Sequence, residues 1–173
     1  MVRTELREHI FKMLFQIEFN TLEEMPEHLD LYFEELHSAK EKDKEYIRNK
    51  FYAVTEKVEE IDTILNEKTT GWKTTRMNKI DLAILRLAVY EMKWDEEVPQ
   101  KVAINEAVEL AKKFSGEEGP AFVNGVLARI LKCGFPKPLV VSRVSLCIVA
   151  LAFLNCTAPL CTFTVYKIGR AHV

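Results

Sequence analysis

Asn78-Lys-Ile-Asp-Leu-Ala-Ile-Leu-Arg-Leu-Ala-Val-Tyr-Glu-Met92 decides the architecture of this chain. Between Ile80 and Met92 only Asp81, Arg86 and Glu91 are charged. At about 100° per residue these three point in three different directions, so no broad solvent face remains. The spacing predicts a central helix buried all round. Asn78, with Asp81 three residues on, predicts its start, because a short polar side chain can take a free backbone N–H there and an acid suits the helix dipole.

On the C-terminal side, Val98-Pro99 restarts the chain, and Ala103, Ala107, Leu110, Ala111 and Phe114 form a small-residue stripe suited to close packing on the centre. Ser115-Gly116 stops that helix. Gly119-Pro120 makes a turn with proline at or near the first position of another helix, whose core stripe is Val123, Val126, Leu127 and Ile130. On the N-terminal side, Leu6, Ile10, Met13, Leu14 and Ile17 share one face. Thr21 with Glu24, and Ser38 with Glu41, fit capping boxes that open the next two helices. The stripe Leu29, Tyr32, Phe33 and Leu36 follows the first box. Ile47, Phe51, Val54, Val58, Ile61 and Leu65 follow the second, predicting one long helix with a charged outer face. Thr69 to Lys73 breaks the pattern. These segments predict an all-α fold of about six to seven helices in two packed bundles, about 1–68 and 74–132. Trp72 and Trp94 bracket the central helix and read as packing residues, and Arg86 and Glu91 as structural ion pairs or hydrogen bonders to neighbouring helices.

Charge divides the chain at Lys132. Residues 1–132 hold all 26 Asp and Glu and 20 of the 24 Lys and Arg, a net charge of −6; the last 41 residues hold four cations and no acid, +4. All four cysteines lie in the second part, so the body is neither a disulfide scaffold, nor a Cys-ligated zinc module, nor a thiol enzyme. Glu5 and Glu8 interrupt any signal-peptide pattern, and the body reads as cytosolic. His9, His28 and His37 share no metal spacing, no Gly-rich loop follows a strand, and no nucleophile pairs with a base. No enzyme, metal or cofactor is expected.

Several linked motifs at matching spacing carry a resemblance. The quoted stretch, then Val98-Pro99, Val102-Ala-Ile-Asn-Glu-Ala-Val-Glu-Leu-Ala-Lys112, Phe114, Gly116 and Phe122-Val-Asn-Gly-Val-Leu127, strongly resemble the NusB family of bacterial transcription antitermination factors. The likeness is dense from Trp72 to Lys132 and looser from Arg3 to Leu65, where Arg7-Glu8 and Leu14-Phe15-Gln16 keep the flavour of the family's first helix. The resemblance implies an all-helical, non-enzymatic RNA-binding protein. It would pair with NusE, also a small-subunit ribosomal protein, on the single-stranded boxA element of nascent ribosomal RNA. With NusA and NusG, that complex would let RNA polymerase read through terminators. The resemblance implies an RNA surface drawn from the basic first helix and the Phe-Val-Asn-Gly motif. It implies a NusE surface around Asp81, with Phe15 and Ile84.

A body at −6 has no global pull on a polyanion, so an RNA site here must be a local patch. Arg3 and Arg7 are one helical turn apart, and Lys101, Lys112, Lys113, Arg129 and Lys132 gather in the last two body helices. A single lysine of this kind is ordinarily a solvated helix face; the joint pattern is the better signal. Phe122 reads either as the edge of the core or as a ring on which an unpaired base stacks, and the resemblance favours the second. The expected RNA residues are Arg3, Arg7, Lys101, Lys113, Phe122 and Asn124, with Glu118 tuning affinity or specificity because a carboxylate opposes phosphate. Two other readings stand beside this one: a helical module of the same kind with another RNA or protein partner, and a tail-anchored membrane scaffold. An RNA methyltransferase with a domain of this type would need a further domain that the last 41 residues cannot supply.

From Val144 to Tyr166 there are 23 uncharged residues, long enough for a membrane anchor, but Ser145, Asn155, Thr157, Pro159, Thr162 and Thr164 interrupt it. Lys167-Ile-Gly-Arg-Ala-His-Val173 resembles a translated sequencing adapter. Residues from Cys133 onward are therefore expected to be frameshifted, non-native or disordered, and not a membrane segment.

Overall fold

The computed structural model describes residues 1–21, 23–36, 39–68 and 73–134. The expectations for Trp72 and for the C-terminal segment beyond Gly134 lie outside those residues. Among the described residues there are seven α-helices and no strand: α1 (Arg3–Gln16), α2 (Met25–Glu35), α3 (Glu41–Glu56), α4 (Val58–Lys68), α5 (Lys79–Lys93), α6 (Gln100–Phe114) and α7 (Gly119–Lys132). A short 3-10 turn, Thr74–Arg76, precedes α5. Both halves of the body lie in one compact unit, Met1–Lys137.

Helix α5 is the shared centre. Asn78 caps it by accepting the Ile80 N–H at 3.1 Å, and every residue from Asp81 to Met92 except Tyr90 is buried. It packs against α1, α3, α4, α6 and α7. A helix without a solvent face can exist only where neighbours cover it on all sides, which is what its sequence demanded. The small residues of α6 allow close approach, with Ala103, Ala107 and Ala111 all buried. Val123, Val126, Leu127 and Ile130 bury the inner face of α7.

Three helix boundaries differ from the sequence expectation. The long helix across Ile47 to Leu65 breaks at Lys57, whose N–H bonds back to the Val54 carbonyl at 3.0 Å, three residues rather than four. The Thr55 hydroxyl donates to the Phe51 carbonyl at 2.9 Å, a back-bond that bends helices and competes with their ladder. The seam continues through Ile61 and Leu65, but Val58 is only half-buried. At the first expected capping box, the Glu24 carboxylate accepts both the Thr21 N–H and hydroxyl, at 3.1 and 2.8 Å. The helix itself begins at Met25, where Pro26 in the first turn sets the start. Helix α3 begins at Glu41 with Lys40 as its cap residue, and Ser38 lies outside the described residues.

Two ion networks cross the core. Arg86 grips Asp62 of α4 with two parallel bonds, 2.9 and 2.8 Å, and also reaches Glu18 beyond α1. Burial pushes the Glu18 carboxyl up, but hydrogen bonds from Lys79 and Arg86 outweigh it and hold the group below its ordinary 4.5. In the second network, Arg7 Nε donates to both oxygens of Glu91 at 3.1 Å and Arg7 Nη1 donates to Glu106 at 3.0 Å. Lys50 stands 3.8 Å from Glu91 and bonds Asp95. Burial raises the Glu91 carboxyl above its ordinary value even though Arg7 and Lys50 oppose the shift.

Candidate nucleic-acid interface

The structure separates the expected site residues into surface and core. Arg7 is 7% exposed and Glu91 2% exposed, so Arg7 is not an RNA-facing cation. Its guanidinium is consumed by Glu91 and Glu106, acids that lie 84 and 99 residues away in sequence. Ile84 is fully buried and cannot touch a partner, because α5 keeps no outer face at that position. Asp81 is also largely buried; its Oδ1 accepts the Ser115 hydroxyl at 2.6 Å, which pins the turn between α6 and α7 to the start of α5.

Arg3, Lys101, Lys113, Glu118 and Asn124 are exposed, and Phe122 and Phe15 are half-buried. These residues do not form one strip. Lys101 and Lys113 are twelve positions apart on α6, about 120° around the helix, and Phe122 and Asn124 fall on opposite flanks of α7. Two separate groupings result.

The first lies along α1 and α6. Arg7 meets Glu106 and the Phe11 ring lies 5.0 Å from that of Phe114, so these helices run in the same direction and Arg3 sits toward the end of α6 that carries Lys101. Lys113 bonds Glu8 at 2.6 Å, and Lys12 bonds the same carboxylate at 2.8 Å. Burial raises the Glu8 carboxyl, but the two lysines outweigh that and leave it below its ordinary value. Exposed pairs of this kind contribute only about 0–1 kcal/mol, so Lys113 can exchange its carboxylate for a phosphate at little cost. Phe11, Phe15 and Phe19 make a ladder of rings, with Phe15 and Phe19 in edge contact at 5.1 Å. Phe19 is 66% exposed; its i+4 spacing from Phe15 is the mark it leaves in the sequence, beyond the apolar stripe that ends at Ile17.

The second grouping is a cleft of about 340 Å³ lined by Arg76, Met77, Asn78, Asp81, Glu118, Gly119 and Phe122. It joins Phe122 and Glu118, expected to serve RNA, to Asp81, expected to serve a protein partner. Arg76 belongs to it and was absent from the expected set, because it stands outside any helix period. Gly119 makes the cleft's floor possible. A Cβ there would lie 2.1 Å from Ser115 Oγ, 2.5 Å from Ser115 Cβ and 3.1 Å from Asp81 Oδ1. Glycine to alanine ordinarily stabilises a helix by up to about 1 kcal/mol, whereas overpacking costs roughly 1–3 kcal/mol. Gly119→Ala is therefore expected to destabilise the fold by about 1–2 kcal/mol, read as a lower urea midpoint; an unchanged or higher midpoint would show that the Ser115–Asp81 contact yields freely.

Among the described residues no helix is long and apolar enough to cross a membrane, and no group of His, Cys, Asp or Glu is placed to hold a metal ion.

The sequence profile of the NusB family matches residues 4–132. The transcription antitermination protein NusB of Agathobacter rectalis is 51% identical over 129 residues, covering 75% of this chain and 98% of that relative. Its counterpart from Acetivibrio thermocellus is 42% identical over 132 residues, covering 76% and 90%. Among solved structures, T. maritima NusB superposes with a TM-score of 0.68 at 34% identity, covering 79% of this chain and 95% of that one. A structure described as antitermination factors NusB and NusE in complex with dsRNA superposes with a TM-score of 0.64 at 26% identity, covering 78% and 100%. The profile runs from the first described helix to the last, and a relative 51% identical over 129 residues is matched over 98% of its own length: the chain belongs to the NusB family.

Proposed function

We propose that this chain is a bacterial, cytoplasmic transcription antitermination factor that grips boxA-type single-stranded RNA of nascent ribosomal transcripts together with NusE, in a larger complex with NusA, NusG and RNA polymerase. It acts by binding rather than by catalysis. Residues 1–132 carry the activity. The observation that supports RNA and NusE as partners most strongly is the likeness, over 78% of the chain, to a structure described as antitermination factors NusB and NusE in complex with dsRNA.

The surface chemistry agrees with it. A body of net charge −6 must hold RNA through local cations, and Arg3, Lys101 and Lys113 are exposed along α1 and α6. Phe122 supplies a ring in the cleft for an unpaired base, with Glu118 lining the same cleft, while Asn124 is exposed on the opposite flank of α7. For the protein partner, Phe15 and its exposed neighbour Phe19 offer apolar ground. Asp81 spends one oxygen on Ser115 and lines the cleft, where a basic side chain of NusE can complete a charge pair.

The test is fluorescence anisotropy of a labelled boxA-type single-stranded RNA with the full chain, with and without NusE. Affinity is expected to rise at least tenfold with NusE, a coupling of about 1.4 kcal/mol, and to fall for a scrambled RNA. Equal affinity for both RNAs and no response to NusE would overturn the proposal.

A further inference from the structure

We propose that Arg76 is a phosphate clamp for the nucleotide whose base stacks on Phe122, so that the cleft between the 3-10 turn and the start of α7 is a one-nucleotide site; this rests on the RNA-binding reading above. Three observations carry it.

First, Arg76 is exposed and lines the same cleft as Phe122. Asp81 and Glu118 line that cleft too, yet Arg76 forms no ion pair with either, nor with any other acid among the described residues. Lys79, next to the cleft residue Asn78, is engaged with Glu18. A guanidinium left without an acid among carboxylates keeps its forked donors for a ligand, and phosphate is the anion whose geometry that fork matches.

Second, Arg76 stands on a braced turn and not on a swinging loop. The Thr74 N–H donates to Asn66 Oδ1 at 2.9 Å, and Asn66 Nδ2 donates to the Thr74 hydroxyl at 3.2 Å, fixing the turn to α4. Thr74 and Met77, on either side of Arg76, are both buried. The Arg76 N–H bonds the Lys73 carbonyl at 2.9 Å. The backbone that carries the guanidinium is thus fixed before the ligand arrives, which lowers the entropy cost of binding.

Third, size and charge set the ligand's orientation. At about 340 Å³ the cleft is at the small end of ligand sites, enough for one unstacked nucleotide and not for a duplex. Glu118, at the start of α7, repels phosphate from that side. The base therefore lies on the Phe122 ring and the phosphate turns toward Arg76.

The experiment measures boxA-type RNA binding by the full chain with NusE over a series of salt concentrations. Neutralising one phosphate on a single strand contributes about 0.7 to the slope of log affinity against log salt. Arg76→Gln is expected to lower that slope by about 0.7 and to weaken binding about five- to tenfold at physiological salt, while Arg76→Lys keeps the slope. With Phe122→Ala in addition, the double variant is expected to lose less than the product of the two single losses, because both residues hold the same nucleotide. An unchanged slope in Arg76→Gln overturns the clamp, and independent losses in the double variant overturn the shared nucleotide. If the wild-type chain binds no boxA-type RNA even with NusE, the RNA reading itself fails, and the clamp with it; the outcomes are thus distinguishable.

Discussion

Arg7→Ala is expected to lower the unfolding free energy by roughly 3–5 kcal/mol, the cost of leaving a buried charge without its partner. For a body of this size that is a fall in Tm of about 10–20 °C. Glu91 is 2% exposed and receives two hydrogen bonds from Arg7. Lys50 remains at 3.8 Å and is shared with Asp95, so it cannot replace the lost fork. The acid must then desolvate alone or take up a proton. Its carboxyl is already raised by burial, and losing Arg7 raises it further. A folded state that binds the proton more tightly than the unfolded chain gains stability as pH falls. The deficit of Arg7→Ala is therefore expected to shrink as pH is lowered from neutral toward the ordinary carboxylate range, and to grow again as pH rises. Arg7→Met with Glu91→Leu, which removes both charges and fills the space, is expected to recover most of the loss. Urea titrations at two pH values check all three outcomes. A variant as stable as the wild type, weakened only in RNA binding, would return Arg7 to the surface role suggested by its place one turn after Arg3.

The second large effect falls on Phe122. Stacking of a base on an aromatic ring contributes about 1–3 kcal/mol, and each 1.4 kcal/mol is about a factor of ten. Phe122→Asp removes the ring and adds a carboxylate to a cleft that already holds Asp81 and Glu118. Loss of boxA affinity in the presence of NusE is expected at the upper end of that range, about 100-fold. Phe122→Ala, which removes only the ring, is expected to lose about tenfold. Phe122 sits half-buried at the margin of the core formed by Val123, Val126 and Leu127, so circular dichroism must first show both variants folded. Asn124→Ala, on the opposite flank of α7, is the comparison: its loss is expected to be smaller than that of either Phe122 variant. Equal losses at the two positions would place the RNA across the whole start of α7 and not at the cleft.

Much of the architecture was legible from spacing. The apolar run of Ile80 to Met92 required a covered helix, and α5 is covered by five others. The alanines of α6 and the stripe of α7 stand where the periodicity placed them, whereas Gly119 and Pro120 open α7 itself and the turn falls just before them, at Glu117 and Glu118. Periodicity was less informative at Lys57, because the seam of α3 and α4 stays in phase across the break while the hydrogen bonds do not. The site was legible only in part. Phe122 and Glu118 stand out as residues at a helix start, but nothing in sequence distance links them to Arg76, Asp81 or Ser115.

The sequence by itself therefore determined the helices, their buried faces and the acidic charge of the body, because these depend on residues three or four apart. Only the tertiary structure decided which charges are free. Arg3 and Arg7 share one face of one helix, yet Arg3 faces solvent while Arg7 is held by acids 84 and 99 residues away. Asp81 and Glu118 are alike as acids near helix starts, yet one is bound to Ser115 and the other is exposed. Whether an ionised side chain meets a ligand or its own protein depends on desolvation and on long-range partners, and neither leaves a period in the sequence.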